Sequence, residues 1–187
     1  MLEKLHITSS RLKIRNLQLT DLEKFHAYRS NPAITKYQGF DTLNLEEART
    51  FILKQTAKLF GTPNEFVQYA IVLKETNNLI GDCAIKISSL EKGTASVGVT
   101  ISANEQKKGY AKEILDAILS FLFDTKDIHR VVEYVSEDNI GSKKILQHFG
   151  FRKEGVSIDE HQIDGEWHNL IQFAMLKKEW NNRKDKE

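Results

Sequence analysis

Cysteine is almost missing from this chain: Cys83 stands alone, so no disulfide can form within it. It lies in an apolar run, 79–87, and reads as a small packed residue rather than a nucleophile. Proline is scarce too, two in 187 residues with ten glycines, and no linker-like stretch or repeat divides the chain. We therefore expect one domain over residues 1–180 and a frayed polar tail over 181–187. No apolar run approaches the ~20 residues that cross a bilayer. Neither sign of charge dominates: 27 basic and 26 acidic residues leave a net +1, which gives no global case for nucleic acid or an anionic membrane. Met1-Leu2-Glu3-Lys4 opens no long apolar core, so no secretory leader is expected, and with the lone thiol this points to the cytoplasm. The six histidines form no cluster of metal-ligand spacing, and no metal is expected. A Gly-x-Ser-x-Gly turn, a P-loop and a Gly-x-Gly-x-x-Gly fingerprint are all absent.

What is present is an ordinary globular composition, 40% hydrophobic and 28% charged, in a chain long enough to bury a substantial core. Alternation predicts a short strand at 12–15. Thr20, with Glu23 closing a capping box, predicts a helix to about Arg29, stopped by Asn31-Pro32. A second helix is expected from Leu43-Asn44 to about Phe60. Strands follow at 66–73, 79–88 and 94–102, then an amphipathic helix over 110–124. A strand at 131–135, a helix at 141–148 and a strand pair at 156–163 and 168–176 complete the chain, with Asp164-Gly165 as the last hairpin's turn signal. The order β-α-α-β-β-β-α-β-α-β-β implies an α/β chain, a mixed sheet with helices on both faces.

The most informative run is Gln106-Lys107-Lys108-Gly109-Tyr110-Ala111, between a strand and a helix. Helix-terminal N–H groups lack intrahelical partners and carry partial positive charge, so a phosphate placed there accepts their bonds. Gly109, without a Cβ, admits close approach of the backbone, and Lys107 and Lys108 add charge. The helix terminus alone gives about 0.3–1 kcal/mol, so the stacked amides and cations must supply the rest.

Gln-x-x-Gly-x-Ala resembles the pyrophosphate-binding signature of the GNAT superfamily of acetyl-CoA-dependent N-acetyltransferases, and the element order is similar along nearly the whole chain. Asn139-Ile140-Gly141-Ser142 leading to Gly150-Phe151 resembles the segment beside the cofactor's pantetheine arm. By its own chemistry Asn139 is a natural N-cap that can also donate to a ligand carbonyl. Ser142 would sit in the first helical turn near the same cleft, and Lys143 within reach of a phosphate. Arg11 to Arg15, Arg29 to Tyr37 and Asp164 to His168 resemble the ribosomal-protein N-terminal acetyltransferase branch, which also holds enzymes acting on small amines and antibiotics.

The resemblance implies a GNAT fold, mostly antiparallel, and direct transfer of acetyl from acetyl-CoA to a primary amine. It places the cofactor against Val99, Thr100, Ile101, Gln106 to Ala111, Asn139, Ser142 and Lys143. The pantetheine would pair with the strand's edge, and an N–H near Val99 to Ile101 would meet the acetyl carbonyl if Gly98 lets the strand splay or bulge. Many relatives carry a Glu on that strand, and this chain has Ser96 there. The base is expected instead at His161 or Glu160, only one of which can face the cleft. Ser142 is the candidate donor to the leaving thiolate, and Tyr134 a more distant acid. Phe25, Tyr28, Tyr37, Phe40 and Trp167 could line an acceptor pocket, with Tyr37 and Trp167 preferred as loop residues. The expected acceptor is a protein N-terminal amine. The alternatives are a polyamine or aminoglycoside, or a non-catalytic acyl-CoA-binding module. No nucleic-acid or membrane partner is expected, and a homo-oligomer is left open.

Overall fold

In the computed structural model, residues 2–37, 42–88, 93–163 and 165–184 are described. Phe40 and Asp164 lie outside them. Among the described residues, eight strands form one sheet in the order β1-β2-β3-β4-β5-β6-β8-β7. They are β1 (Ile7–Thr8), β2 (Leu12–Asn16), β3 (Val67–Leu73), β4 (Leu79–Ile87), β5 (Thr94–Ile101), β6 (Arg130–Ser136), β7 (Arg152–Ile163) and β8 (Glu166–Leu176). Every neighbouring pair is antiparallel except β5–β6, which is parallel. The expected mixed, mostly antiparallel sheet is what the chain forms.

Alternation along β3 sorts the core to two faces. Tyr69 and Ile71 join the larger cluster, with Ile114, Leu115 and Ile118 of α4 (Tyr110–Ser120) and Leu146 and Phe149 of α5 (Ile140–Phe149). Ala70 and Val72 face the other way, against Leu22, Phe25 and Tyr28 of α1 (Leu22–Arg29) and Ala48 and Ile52 of α3 (Leu45–Thr56). Asn44 and Glu47 cap α3 reciprocally, at 2.9 and 2.8 Å. α3 ends at Thr56, earlier than the pattern indicated.

Four local readings change. Asp21, not Thr20, organises the entry to α1: it accepts the Gln18 N–H at 2.9 Å and takes the Arg15 guanidinium at 2.7 and 2.8 Å. Asn31-Pro32 stops α1 but also starts a short α2 (Pro32–Thr35), because Pro fits the first helical position and Asn31 caps it. Trp167 lies within β8, not in a loop. The segment expected to fray is helical to Lys184, as α6 (Lys177–Lys184). Trp180 anchors it, fully buried, stacked on Phe123 and bonded through its indole N–H to Asp124 at 3.2 Å.

Candidate active site

The site exists because β5 and β6 pair only briefly. Their parallel ladder runs Thr94↔Arg130, Ala95↔Val131 and Ser96↔Val132, and ends there. Both strands continue, β5 to Ile101 and β6 to Ser136, so a wedge opens between them. On its other side β5 keeps an unbroken register with β4, from Ile87↔Ala95 to Gly81↔Ile101. The strand is therefore splayed and not bulged at Gly98.

Two adjoining cavities fill the wedge. The outer, about 640 Å³, is lined by Val99 to Ile101, the turn at Gln106, Lys107 and Gly109, the start of α4, and Asn139 and Ser142. The inner, about 130 Å³, lies deeper between α4 and α5 and shares Tyr37, Val99, Ala111, Asn139 and Ser142 with the outer one.

At the mouth, Lys107 and Gly109 both hold positive φ, 62° and 84°, which folds the turn back on the helix start. The first α4 turn closes with Glu113 N–H to Gly109 O at 3.1 Å, so the amides of Tyr110, Ala111 and Lys112 precede the helical ladder. This is a concave set of donors with no side chain at Gly109 in the way. It fits a diphosphate, and nothing about the donor set conflicts with coenzyme A.

The cradle has a brace that the sequence did not reveal. Arg11, from the β1–β2 turn, donates to the Lys108 carbonyl at 3.2 Å, to Glu113 at 2.7 Å, and lies 4.5 Å from the Tyr110 ring centre. Glu113 also accepts the Arg11 N–H at 2.7 Å and the Ser9 hydroxyl at 2.8 Å. Partial burial pushes this carboxyl upward, but those hydrogen bonds and the Arg11 charge outweigh it and hold the pKa low. Only the folded chain brings residues 9–11 to residue 113, so no local spacing shows the brace.

Other expected residues fall in different places. Gln106 turns back to donate to the Ile101 carbonyl at 3.0 Å, tying the turn to the end of β5. Lys108 pairs with Glu105 at 2.9 Å instead of pointing into the cleft. Lys143 donates to the Glu137 carbonyl and does not line either cavity. Asn139 Oδ1 caps α5 through the Ser142 N–H at 3.1 Å, which leaves its amide group for the cleft it lines. Tyr37 borders both cavities.

His161, Glu160 and Trp167 line neither cavity. His161 pairs with His168 across the β7–β8 hairpin, so the two side chains share a face. His168 Nδ1 is 2.7 Å from Asp138, one residue before Asn139. Three β7 residues oppose one of β8 between Ser157 and His161, and Asp159 sits at φ 49°. This bulge breaks the simple alternation on which the choice between His161 and Glu160 rested.

The inner cavity brings in Glu133, which sequence reading passed over. It stands in β6 between Val131 and Val135, on the face that packs against α4 and α5. One oxygen accepts the Val97 N–H, the first β5 amide past the end of the parallel ladder. Burial pushes its pKa well above the usual carboxylate range, and the Val97 bond opposes this only in part. The signal available in the sequence was a lone acid at the inward position of Val-x-Glu-x-Val.

A splayed mixed sheet with an amide cradle at a helix start defines a cofactor-dependent acyltransferase. Residues 11–152 match the model of the acetyltransferase (GNAT) domain. The chain belongs to this family of N-acetyltransferases, which use acetyl-CoA. It is 29% identical to the uncharacterised N-acetyltransferase p20 of Bacillus licheniformis, over 92% of this chain and 96% of that one. It is 32% identical to the ribosomal protein uS5 alanine N-acetyltransferase of Escherichia coli over 84 residues, 45% of this chain and 43% of that one. The crystal structure of spermidine N-acetyltransferase from Vibrio cholerae, in complex with CoA and spermine, superposes with a TM-score of 0.79 at 21% identity. The match covers 92% of this chain and 99% of that one.

Proposed function

We propose that this N-acetyltransferase modifies the N-terminal α-amine of a protein or peptide. The slot between β5 and β6 carries the reading, because it opens on both faces of the sheet. Adjacent strand residues point to opposite faces. Glu133 borders the slot on the α4–α5 side, while Tyr134 borders it from the other face and is 57% exposed. On this reading the acetyl donor enters from the first side and the acceptor from the second. Away from the slot, the β7–β8 hairpin leaves Ile158 69% exposed and Trp167 59% exposed. Such open apolar surface suits a polypeptide better than a small polar amine.

Charge supports the same choice. A polyamine needs several free carboxylates spaced along its path. Among the described residues, the only carboxylates lining the two cavities are Glu105, already paired with Lys108, and the half-buried Glu133, bonded to the Val97 N–H. An α-amine also titrates near ~7.7–8.0 in model compounds against ~10.4 for lysine, so it needs less help to become nucleophilic at neutral pH.

Bound coenzyme A supplies an acetyl group activated as a thioester. The amides of Tyr110 to Lys112 and the Lys107 charge would hold its diphosphate. Val99 and Ile101, on a strand whose β6 neighbour has departed, would take its pantetheine arm, with Asn139 donating to an amide carbonyl. Ser142, which lines both cavities, would donate to the leaving sulfur. His161, on the face it shares with His168, is our candidate to take the amine's proton through water.

Mass spectrometry of a peptide and amine panel incubated with acetyl-CoA tests the reading. Acetylated peptide α-amines are expected. Acetylation of spermidine or an aminoglycoside with the peptides untouched would reassign the acceptor.

A further inference from the structure

We propose that Glu133 is a catalytic acid of this site, delivering a proton to the sulfur that leaves the acetyl group. The inference rests on the acetyl-transfer reading of the cleft and adds a residue to it. Two features of position argue for it. First, Glu133 lines the inner cavity at the depth where β5 and β6 separate, beside Ser142 and Asn139, which also line the outer cavity. A thioester reaching the slot along Val99 meets this side chain. Second, the carboxyl is held in one orientation. One oxygen is taken by the Val97 N–H, and among the described residues the other has no protein partner.

The surroundings fix its protonation. β5 presents Val97, Gly98 and Val99, α4 presents Ala111 and Leu115, and α5 presents Ser142, Ile145 and Leu146. Phe173 of β8 lies opposite Glu133 in the ladder. The ionisable neighbours bordering this cavity are Tyr37 and Tyr134, neither of them a cation. A carboxyl in an apolar pocket without a counter-charge keeps its proton, and the upward pKa direction given above agrees. A neutral acid that accepts with one oxygen has its O–H left to give.

The step balances. As the amine nitrogen bonds to the acetyl carbon, the carbon–sulfur bond breaks and its electron pair stays on sulfur. Glu133 gives that sulfur its proton, and the proton shed by the amine returns through water to restore the acid. No oxidant or further reactant is needed. Activity should therefore fall at high pH, as Glu133 loses its proton, and at low pH, as the acceptor amine gains one.

The test compares wild type with Glu133→Gln, which keeps a carbonyl oxygen for the Val97 N–H. Infrared spectra of the free protein at neutral pH should show a neutral carboxylic acid band that vanishes in the variant. Turnover should fall about 100-fold or more, as for loss of a positioned acid. Calorimetric affinity for coenzyme A should stay within about twofold, as expected when only proton transfer is lost. The alkaline limb of the wild-type rate profile should follow the same midpoint as the infrared band and be missing in the variant. A merely structural Glu133 would move neither. Absence of the neutral band, or a variant with wild-type turnover and an intact alkaline limb, overturns the proposal. If no amine in the panel is acetylated, the acceptor reading fails. The comparison is then made on acetyl-CoA hydrolysis, where equal rates in the two proteins overturn Glu133 independently. Should Glu133→Gln fail to fold, Glu133→Asp keeps a carboxyl, and its infrared band and rate limb must shift together.

Discussion

Gly109 holds the turn at φ 84°, where a β-branched residue is strained by about 1–3 kcal/mol. An added Cβ would come 3.5 Å from the Arg11 guanidinium, an ordinary contact, so the cost lies in the backbone conformation. Gly109→Val should weaken coenzyme A binding by about 5- to 150-fold as the turn moves to relieve that strain, since 1–3 kcal/mol is about 0.7–2 decades of affinity. Calorimetry checks it, and unchanged affinity would mean the diphosphate sits elsewhere. His161→Ala is expected to lower turnover with unaltered coenzyme A affinity, and an identical pH–rate profile would remove His161 as proton acceptor. At this scale the sequence was legible wherever a residue acts through its own backbone. Gly109 as a turn glycine and Asn139 as a cap both follow from local chemistry. Arg11, Glu113 and Glu133 act through partners about a hundred or tens of residues away, and their spacing carries no trace of that.

The critical element is β5, gripped on one side and released on the other. Gly81 of β4 is what lets β4 approach it: a Cβ there would lie 2.1 Å from the Thr100 carbonyl oxygen and 3.1 Å from the Ile101 Cα. Neither neighbour is a flexible side chain, so β5 would have to move. Gly81→Ala should cost about 1–3 kcal/mol of stability, as overpacking does. It should also reduce coenzyme A affinity, because the displaced segment lines the outer cavity. Urea melts and calorimetry together check this; a stability loss with affinity intact would show that the end of β5 is not a binding surface. The strands other than the two-residue β1, and the helices other than the short α2 and the terminal α6, were readable from periodicity and local caps. The splay was not, because the residues of β5 and β6 look equally strand-like where they pair and where they part.

For the molecule as a whole, the sheet is pinned to α1 by a buried polar knot. Asp82 of β4 accepts from Arg29 at 2.6 and 2.9 Å, from the Tyr28 hydroxyl at 2.7 Å and from Gln68 at 2.9 Å. Burial, with the Asp82 charge, pushes the Tyr28 hydroxyl's pKa well up, so it stays a donor. Asp82→Ala would remove the carboxylate that pairs with the buried Arg29 guanidinium and should cost about 3–5 kcal/mol in a denaturant melt. A loss below 1 kcal/mol would mean that water reaches Arg29 in the folded state, contrary to its burial.

The short β5–β6 ladder makes the sheet two leaves on a narrow spine. One leaf runs from β1 to β5, the other holds β6, β8 and β7, and three residue pairs join them along the backbone. A ligand arm lying in the gap would stand in for the missing rungs. Catalysis and architecture would then share one seam: the cargo stiffens the frame that carries it, and each discharged molecule leaves the frame looser until the next arrives.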